Sequence, residues 1–539
     1  MRPRVAPASL RGRQPARRMM TRESRATLAP HATGVKSVAR ALTPRDSRSY
    51  PFLMPRTLDP PLSLTIPLTD PHAALESLAS LPHPFLLHSA LEGTGARWSF
   101  FGADPFAVFR GGRYEDAVEA WRGFARRCPA DAEAHALAPF TGGMVGYWAY
   151  DFGRRLERIP SVARDDLGLP DFVLGLYDVT GAFDHVASKA YLFSSGLPLE
   201  GRAGRERARA RLDDIAKWLA HDAGAHAAPP RGGQGAHAVS TFAADDYRRA
   251  IEQVKDHIRR GDIFQANLSQ CWSVALADAT PAAGPAPRPP ATPARFGRAL
   301  HAALARRAAA PFAAFFDAGD HAIASASPER FIELRGRNVT TRPIKGTRPR
   351  GWCPAEDLQM IEELKASEKD RAENVMIVDV LRNDLGRVCE TGSVATEALC
   401  ELETFPQVHH LTSTVTGVLR QGLDALDLLH ASFPGGSITG APKIRAMQIL
   451  DEWEPVRRHI YTGSLGYLDW RGDADWNIAI RTALVTPRAV HFAAGGGITA
   501  DSEADAEYRE TLHKAEGMRV ALAELLGPLT LEPAALHAR

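Results

Sequence analysis

Apolar residues along the chain fall in short runs whose spacing changes part-way. Between residues 57 and 222, the runs "HPFLLHSA", "RWSFFGADPFAVF", "GGMVGYWAYDFG" and "DFVLGLYDV" have strand length and glycine punctuation. They predict a mostly antiparallel sheet with some helix. From residue 241 the pattern mixes two periods. "ADDYRRAIEQVKDHIRRGD" repeats its apolar positions at helical spacing, and "EADAEYRETLHKAEGMRVALAELL" predicts a final helix. "EDLQMIEELKASEKDRAENVMIVDVLRNDLG" predicts one long helix ending near Gly386, while "HIYTGSLGYLDW" and "DWNIAIRTALVTPRAVHFAAGGGI" predict strands. Strands and helices are segregated with no regular βαβ alternation, so the class is α+β.

The boundaries follow from composition. Residues 1–56 are an Arg-rich extension expected to be disordered, 57–222 a first globular region, and 223–240 a Gly/Ala/Pro/His linker. Residues 241–526 form a second region, interrupted by the Pro/Ala run "ATPAAGPAPRPPATPA" that reads as a surface loop, and 527–539 form a C-terminal tail. The net charge of +2 hides an asymmetry. Residues 1–50 hold eleven Arg and one Lys against Glu23 and Asp46, so the remainder carries a net −8. A mildly acidic body does not suggest nucleic-acid binding. The extension lacks an apolar core segment; it reads as a plain extension, or as upstream sequence with a working start at Met54, more than as an organelle transit peptide. Five cysteines without a C-x-x-C pair argue against a disulfide framework and for a reducing compartment, and no apolar run has membrane-spanning length. A cytoplasmic protein with no membrane or nucleic-acid partner is expected.

Chemistry concentrates in the second region. "TRPIKGTRPRG" sets Lys345 among Arg342, Arg348 and Arg350, cations that disfavour its charged form. Asp370 and Glu373, and again Glu507 and Glu510, are three residues apart and share a helix face, where like charges repel. A shared hard cation such as Mg²⁺ would relieve that repulsion; a solvated acidic face with Glu510 paired to Lys514 is the alternative. Glu329 in "SASPERF" is a candidate general acid if desolvated, or else an exposed turn residue paired with Arg330. His410 in "VHHLTSTVTG" is either catalytic or a half-buried structural histidine. The glycines of "FPGGSITGAPKIRAM", with Pro442 suited to a first helical turn, and of "AAGGGITADS" offer backbone N–H groups to an anion, or are simply turn glycines.

In order, "SASPERF", "RPIKGTRPRG", "KDRAENVMIVDVLRNDLGRVCETGSV", "HHLTSTVTG", "FPGGSITGAPKIRAM", "YTGSLGYLD", "WNIAIRTA", "GGGITADS" and "YRETLHKAEGM" resemble the chorismate-utilising enzymes. The resemblance covers residues 240–525, and the first region resembles the companion half of the large subunits in this family. It implies antiparallel sheets packed as a sandwich flanked by helices. Lysine in "PIKGT" resembles the aminodeoxychorismate synthase component I branch, where anthranilate synthases typically carry alanine. The implied reaction is transaminase-type amination of chorismate to 4-amino-4-deoxychorismate, precursor of para-aminobenzoate and folate.

By that resemblance Lys345 is the nucleophile, Glu329 the general acid for the departing 4-hydroxyl, and His410 an active-site histidine. Glu373 and Glu510 match magnesium ligands, with Asp370 and Glu507 in the acidic surroundings. Tyr461 and Arg481 match the groups on the enolpyruvyl carboxylate, and Gly495, Gly496, Gly497 and Lys514 those on the ring carboxylate. Gln265 lies where isochorismate-forming relatives place a lysine base, so water activation is not implied. Ser89, Arg97, Trp98, Pro311 and Phe312 match a tryptophan-like effector pocket. The chain carries no G-x-C-x-G-x-Q amidotransferase elbow; ammonia is expected from a separate glutamine amidotransferase subunit or from solution. Two rivals stand beside this reading. One is anthranilate synthase component I. The other is a non-catalytic chorismate- or amino-acid-binding regulatory protein, which would lack the acid, the lysine or a metal carboxylate.

Overall fold

Strand-length runs become two large, mainly antiparallel sheets in the computed structural model, which describes residues 59–534 apart from 69, 92–96, 129–136, 221–234, 277–291 and 407. The Arg-rich extension, most of the linker and nearly all of the Pro/Ala loop lie outside the described residues. Thirteen strands form the first sheet, which includes Phe85–His88, Phe312–Asp317, Ala322–Ser327, Thr482–Val485, Ala489–Ile498 and Gln265–Ala275 as successive neighbours. The second has ten strands; Ile344–Pro349, Val408–Val418, Asn338–Arg342, Arg330–Arg335, Ala474–Asn477, Ser464–Asp469 and Gly143–Trp148 follow one another across it. Residues 57–222 and 241–526 both contribute strands to each sheet.

The sheets pack face to face. Phe85, Phe100, Ala314, Phe316 and Leu484 of the first meet Val145, Tyr147, Val173, Leu465 and Tyr467 of the second in one buried cluster. Helices cover the outer faces. Pro293–Arg307 and Ala504–Leu526 bury Leu300, Leu304, Met518 and Leu522 against the first sheet. Tyr114–Ala125, Glu368–Gly386 and Ala425–Ser432 bury Trp121, Val378 and Leu429 against the second. The fold is an α+β sandwich flanked by helices. "GMVGYW" is apolar at every position because Val145 and Tyr147 face the other sheet while Met144 and Trp148 face helices.

Three local expectations change. The single helix predicted to end near Gly386 is two, Pro354–Ala366 and Glu368–Gly386, because Ser367 adopts an extended backbone and its Oγ accepts the Asp370 N–H at 3.2 Å. Pro442 lies just before the helix Lys443–Trp453, at its cap. The last linker residues and the tail also carry structure: Ala236–Ser240 pairs in parallel with Leu529–Glu532.

Close strand approach fixes some glycines. Gly146 pairs with Gly466, and a Cβ on Gly146 would stand 2.0 Å from the Val173 carbonyl oxygen. Gly146→Ala is expected to cost about 1–3 kcal/mol or more, read as a lower denaturant midpoint. Gly123→Ala, on a helix with open space around it, is the control and should not destabilise. An unchanged midpoint for Gly146→Ala would contradict this packing.

Candidate functional site

The chain passes between the two sheets several times, and two of these crossings carry site residues. Ala322–Ser327 belongs to the first sheet and Arg330–Arg335 to the second, so Pro328 and Glu329 form the crossing. Ala474–Asn477 belongs to the second and Thr482–Val485 to the first, so residues 478–481 cross back. The Ile478 N–H donates to the Glu329 carbonyl at 3.0 Å and stitches the crossings together. Glu329 is buried, not exposed, and Arg330 pairs with Asp475 and Glu333 instead. Burial pushes the Glu329 carboxyl up to about 7, against the opposing effects of a Ser437 hydrogen bond (2.5 Å) and the Lys345 charge. A carboxyl in that range is a proton donor near neutrality.

Lys345 reaches the same space by a bulge. Its strand pairs with Val408–Val418 through Ile344 and Thr347, and register breaks between them. Gly346 sits there with φ 91°, a conformation glycine adopts without strain. A Cβ on Gly346 would also lie 3.0 Å from that of Asp370. The Lys345 amine is pulled below its ordinary 10.5 first by burial; Glu373 opposes this and Lys514 adds to it. The residue keeps part of its accessible surface, as a side chain lining a cleft does, and the dense protein around it still dominates its titration. The neighbouring arginines are not the cause. Arg342 pairs with Glu403, Arg348 with Asp370 (3.3 Å) and Arg350 with Asp357 (2.7 Å), so each is neutralised.

The acidic residues converge beside it. A Cβ on Gly496 would lie 2.9 Å from Glu507 Oε2 and 3.5 Å from Glu510 Oε1. One on Gly497 would lie 1.8 Å from Gln265 Nε2 and 3.5 Å from Glu373 Oε2. Glycine there lets carboxylates from two helices close on one strand. Lys514 Nζ bonds the Gly495 carbonyl (2.9 Å) and Glu510 (2.7 Å). Lys369 lies 3.2 Å from Glu507 and 4.0 Å from Glu373. Burial raises Glu373. Glu510 ends below its usual range because Lys514, Lys369 and Lys345 outweigh burial. Among the described residues no three His, Cys, Asp or Glu side chains form a closed metal cage. Two convergent carboxylates fit a hard divalent ion that completes its shell with water and substrate oxygens.

Arg481 is held at φ 49°, a strained backbone for a non-glycine residue. Burial lowers its pKa, and among the described residues no carboxylate pairs with it. An unpaired guanidinium at such a position is suited to an anionic ligand. The turn carrying Tyr461 is tied to the same crossing, with Thr462 N–H to the Ala479 carbonyl at 2.8 Å. Tyr461 is buried and its hydroxyl is shifted upward by burial. His410 Nδ1 lies 2.8 Å from Thr347 Oγ1; burial, then Arg481, pull it down to about 4, so it is neutral.

A chorismate-binding enzyme family model matches residues 84–520. The chain belongs to the chorismate-binding enzyme family. Aminodeoxychorismate synthase component 1 of Klebsiella aerogenes is 42% identical over 399 residues, covering 72% of this chain and 78% of that protein. Anthranilate synthase component 1 of Thermus thermophilus is 38% identical over 460 residues, covering 84% and 94%. The crystal structure of anthranilate synthase component I from Streptococcus pneumoniae TIGR4 superposes with a TM-score of 0.65 at 31% identity, covering 79% of this chain and 93% of that one.

Within this chorismate-binding enzyme, Ser89, Arg97, Trp98, Pro311 and Phe312 line a separate cavity of about 420 Å³. Arg97 pairs there with Asp184 (2.7 Å) and stacks on Trp98. Asp370 pairs with Arg348 (3.3 Å) and still raises Glu373 through its charge. Sequence reasoning missed Ser437, Thr347 and Lys369. The first two act through partners 108 and 63 residues away, a separation that carries no periodic signal. No helix among the described residues is long and apolar enough to cross a membrane.

A depressed Lys345 pKa predicts that a small amine-reactive reagent labels Lys345 at lower pH than the protein's other lysines, read by peptide mass spectrometry across a pH series. Superimposable labelling profiles would contradict the burial argument.

Proposed function

We propose that this chain aminates chorismate with ammonia to give 4-amino-4-deoxychorismate, through a covalent bond to Lys345. The observation that carries the reading is the pairing of a pKa-depressed lysine with a carboxyl held near 7 at the sheet crossing. One group is biased toward its neutral nucleophilic form, the other toward its protonated form. The neutral Lys345 amine attacks the ring carbon next to the carboxylate-bearing carbon. Both conjugated ring double bonds shift by one position, the bond from C4 to its hydroxyl breaks, and Glu329 gives its proton so that water leaves. The new secondary ammonium loses a proton, which restores Glu329. Ammonia then bonds to C4, both double bonds shift back, and the lysine nitrogen departs with its electron pair and takes a proton from the incoming nitrogen. The sum is chorismate plus ammonia to aminodeoxychorismate plus water.

Arg481 and Tyr461 would hold the enolpyruvyl carboxylate, and Lys514 with the strand at Gly495–Gly497 the ring carboxylate. Magnesium on Glu373 and Glu510 would supply Lewis-acid and template chemistry at that carboxylate. Nitrogen would come from a glutamine amidotransferase partner. The identity to aminodeoxychorismate synthases supports the reading. The longer coverage by anthranilate synthases supports a second one, in which amination occurs beside the ring carboxylate and pyruvate is lost. The lysine in "PIKGT" favours the first.

Four sets of measurements test it. With chorismate, Mg²⁺ and ammonium salt, chromatography should find aminodeoxychorismate, and glutamine should replace ammonium only when a glutaminase subunit is added. Lys345→Ala should lose most turnover and Lys345→Arg should not restore it, because the charge is kept but the nucleophile is lost. Anthranilate from the wild type, or near wild-type turnover in Lys345→Arg, would overturn the proposal. Glu373→Gln and Glu510→Gln should each weaken Mg²⁺ binding in calorimetry, and excess EDTA should abolish turnover; full activity in EDTA refutes the metal assignment. Turnover should need Lys345 neutral and Glu329 protonated, so its pH profile should carry a transition near 7 from Glu329. Glu329→Gln should lower turnover about 10²–10⁴-fold and erase the transition near 7; a retained transition would exclude Glu329 as the acid.

A further inference from the structure

The turn "PGGSITG" is wedged into the core with unusual economy. A Cβ on Gly435 would meet Ile478 Cδ1 at 2.6 Å, and one on Gly436 would meet Val380 Cγ1 at 2.7 Å. Buried Arg458 donates to the Ile438 carbonyl at 3.1 Å and to the Asn267 carbonyl at 2.5 Å, and is itself paired with Glu454 at 2.7 Å. Thr439 Oγ1 closes the turn onto the Gly435 carbonyl at 3.0 Å. The side chain this scaffold delivers is Ser437, buried, whose hydroxyl donates to Glu329 Oε1 at 2.5 Å.

We infer that Ser437 is a positioning residue for proton transfer, fixing the Glu329 carboxyl so that Oε1 is the hydrogen-bond acceptor and Oε2 carries the transferable proton. The chemistry is that of any carboxylic acid: the carbonyl oxygen is the better acceptor, so a donor locked on one oxygen leaves the proton on the other. The charged groups that act on Glu329 include Lys345 from its strand and Lys514 from the last helix, and the Ile344 backbone N–H also favours its ionised form. Ser437 is the side-chain hydroxyl in this set. It holds a direction without adding charge, and its bond favours the ionised carboxyl against burial. This rests on Glu329 acting as the acid in the proposed amination.

The test uses the full chain with Ser437→Ala and Ser437→Thr, in two independent arms. In the kinetic arm, Ser437→Ala should lower kcat about 10- to 100-fold with KM for chorismate within about twofold, the loss of one hydrogen bond to a reacting group. Its pH transition near 7 should move up by about one pH unit, and Ser437→Thr, which keeps the hydroxyl, should restore both. In the second arm, infrared titration of the free protein, with Glu329→Gln assigning the band, should show the protonated carboxyl persisting to higher pH in Ser437→Ala than in wild type. An unmoved transition and an unmoved carboxyl titration would overturn the inference even if kcat falls, because a merely structural serine predicts that pattern. The infrared arm needs no substrate. A wild type that does not aminate chorismate at C4 therefore refutes the function while the carboxyl titration still decides the contact.

Discussion

Desolvation at the sheet crossing is the constraint on which the site depends. A chain that leaves one sheet at Ser327 and enters the other at Arg330 must bury what lies between. At Glu329 that raises a carboxyl toward neutrality, and at the bulge of Lys345 and Gly346 the same dense surroundings depress an amine. Two oppositely charged groups in water would sit as carboxylate and ammonium. Here burial works against both ions, and each is moved toward the form that can transfer a proton or donate an electron pair.

The rest of the site manages charge around that pair. Arg342, Arg348 and Arg350 would flood the cleft with positive potential, but each is tied to its own carboxylate. Lys369 and Lys514 balance the glutamates on the two helices, while Arg481, on a strained backbone, has no carboxylate partner among the described residues. An anionic ligand would thus meet a guanidinium without a described carboxylate partner and the lysine–glutamate cluster in the same site.

Much of this was legible in sequence because local patterns carried it. Strand-length runs punctuated by glycine became strands, and the three-residue spacing of Glu507 and Glu510 placed both on one helix face. The failures were non-local or competitive. Helical periodicity runs straight through Ser367, and only the capture of the Asp370 N–H by its hydroxyl breaks the helix. Ala236–Ser240 and Leu529–Glu532 lie almost 300 residues apart, so neither segment announces its partner. The cations crowding Lys345 in sequence were the wrong cause for a right direction: spacing cannot reveal that each has an acidic partner, nor that burial dominates. Ser437 was visible only as part of a glycine-rich turn, since its meaning depends on Glu329, 108 residues earlier.

The covalent role of Lys345 is most directly tested by incubating the protein with chorismate and Mg²⁺ in the absence of ammonia, then quenching and mapping peptides by mass spectrometry. A nucleophilic lysine predicts that the peptide containing Lys345 gains the mass of chorismate less one water, and that ammonium salt discharges it. An unmodified Lys345 peptide under conditions where added ammonium supports turnover would contradict the covalent mechanism.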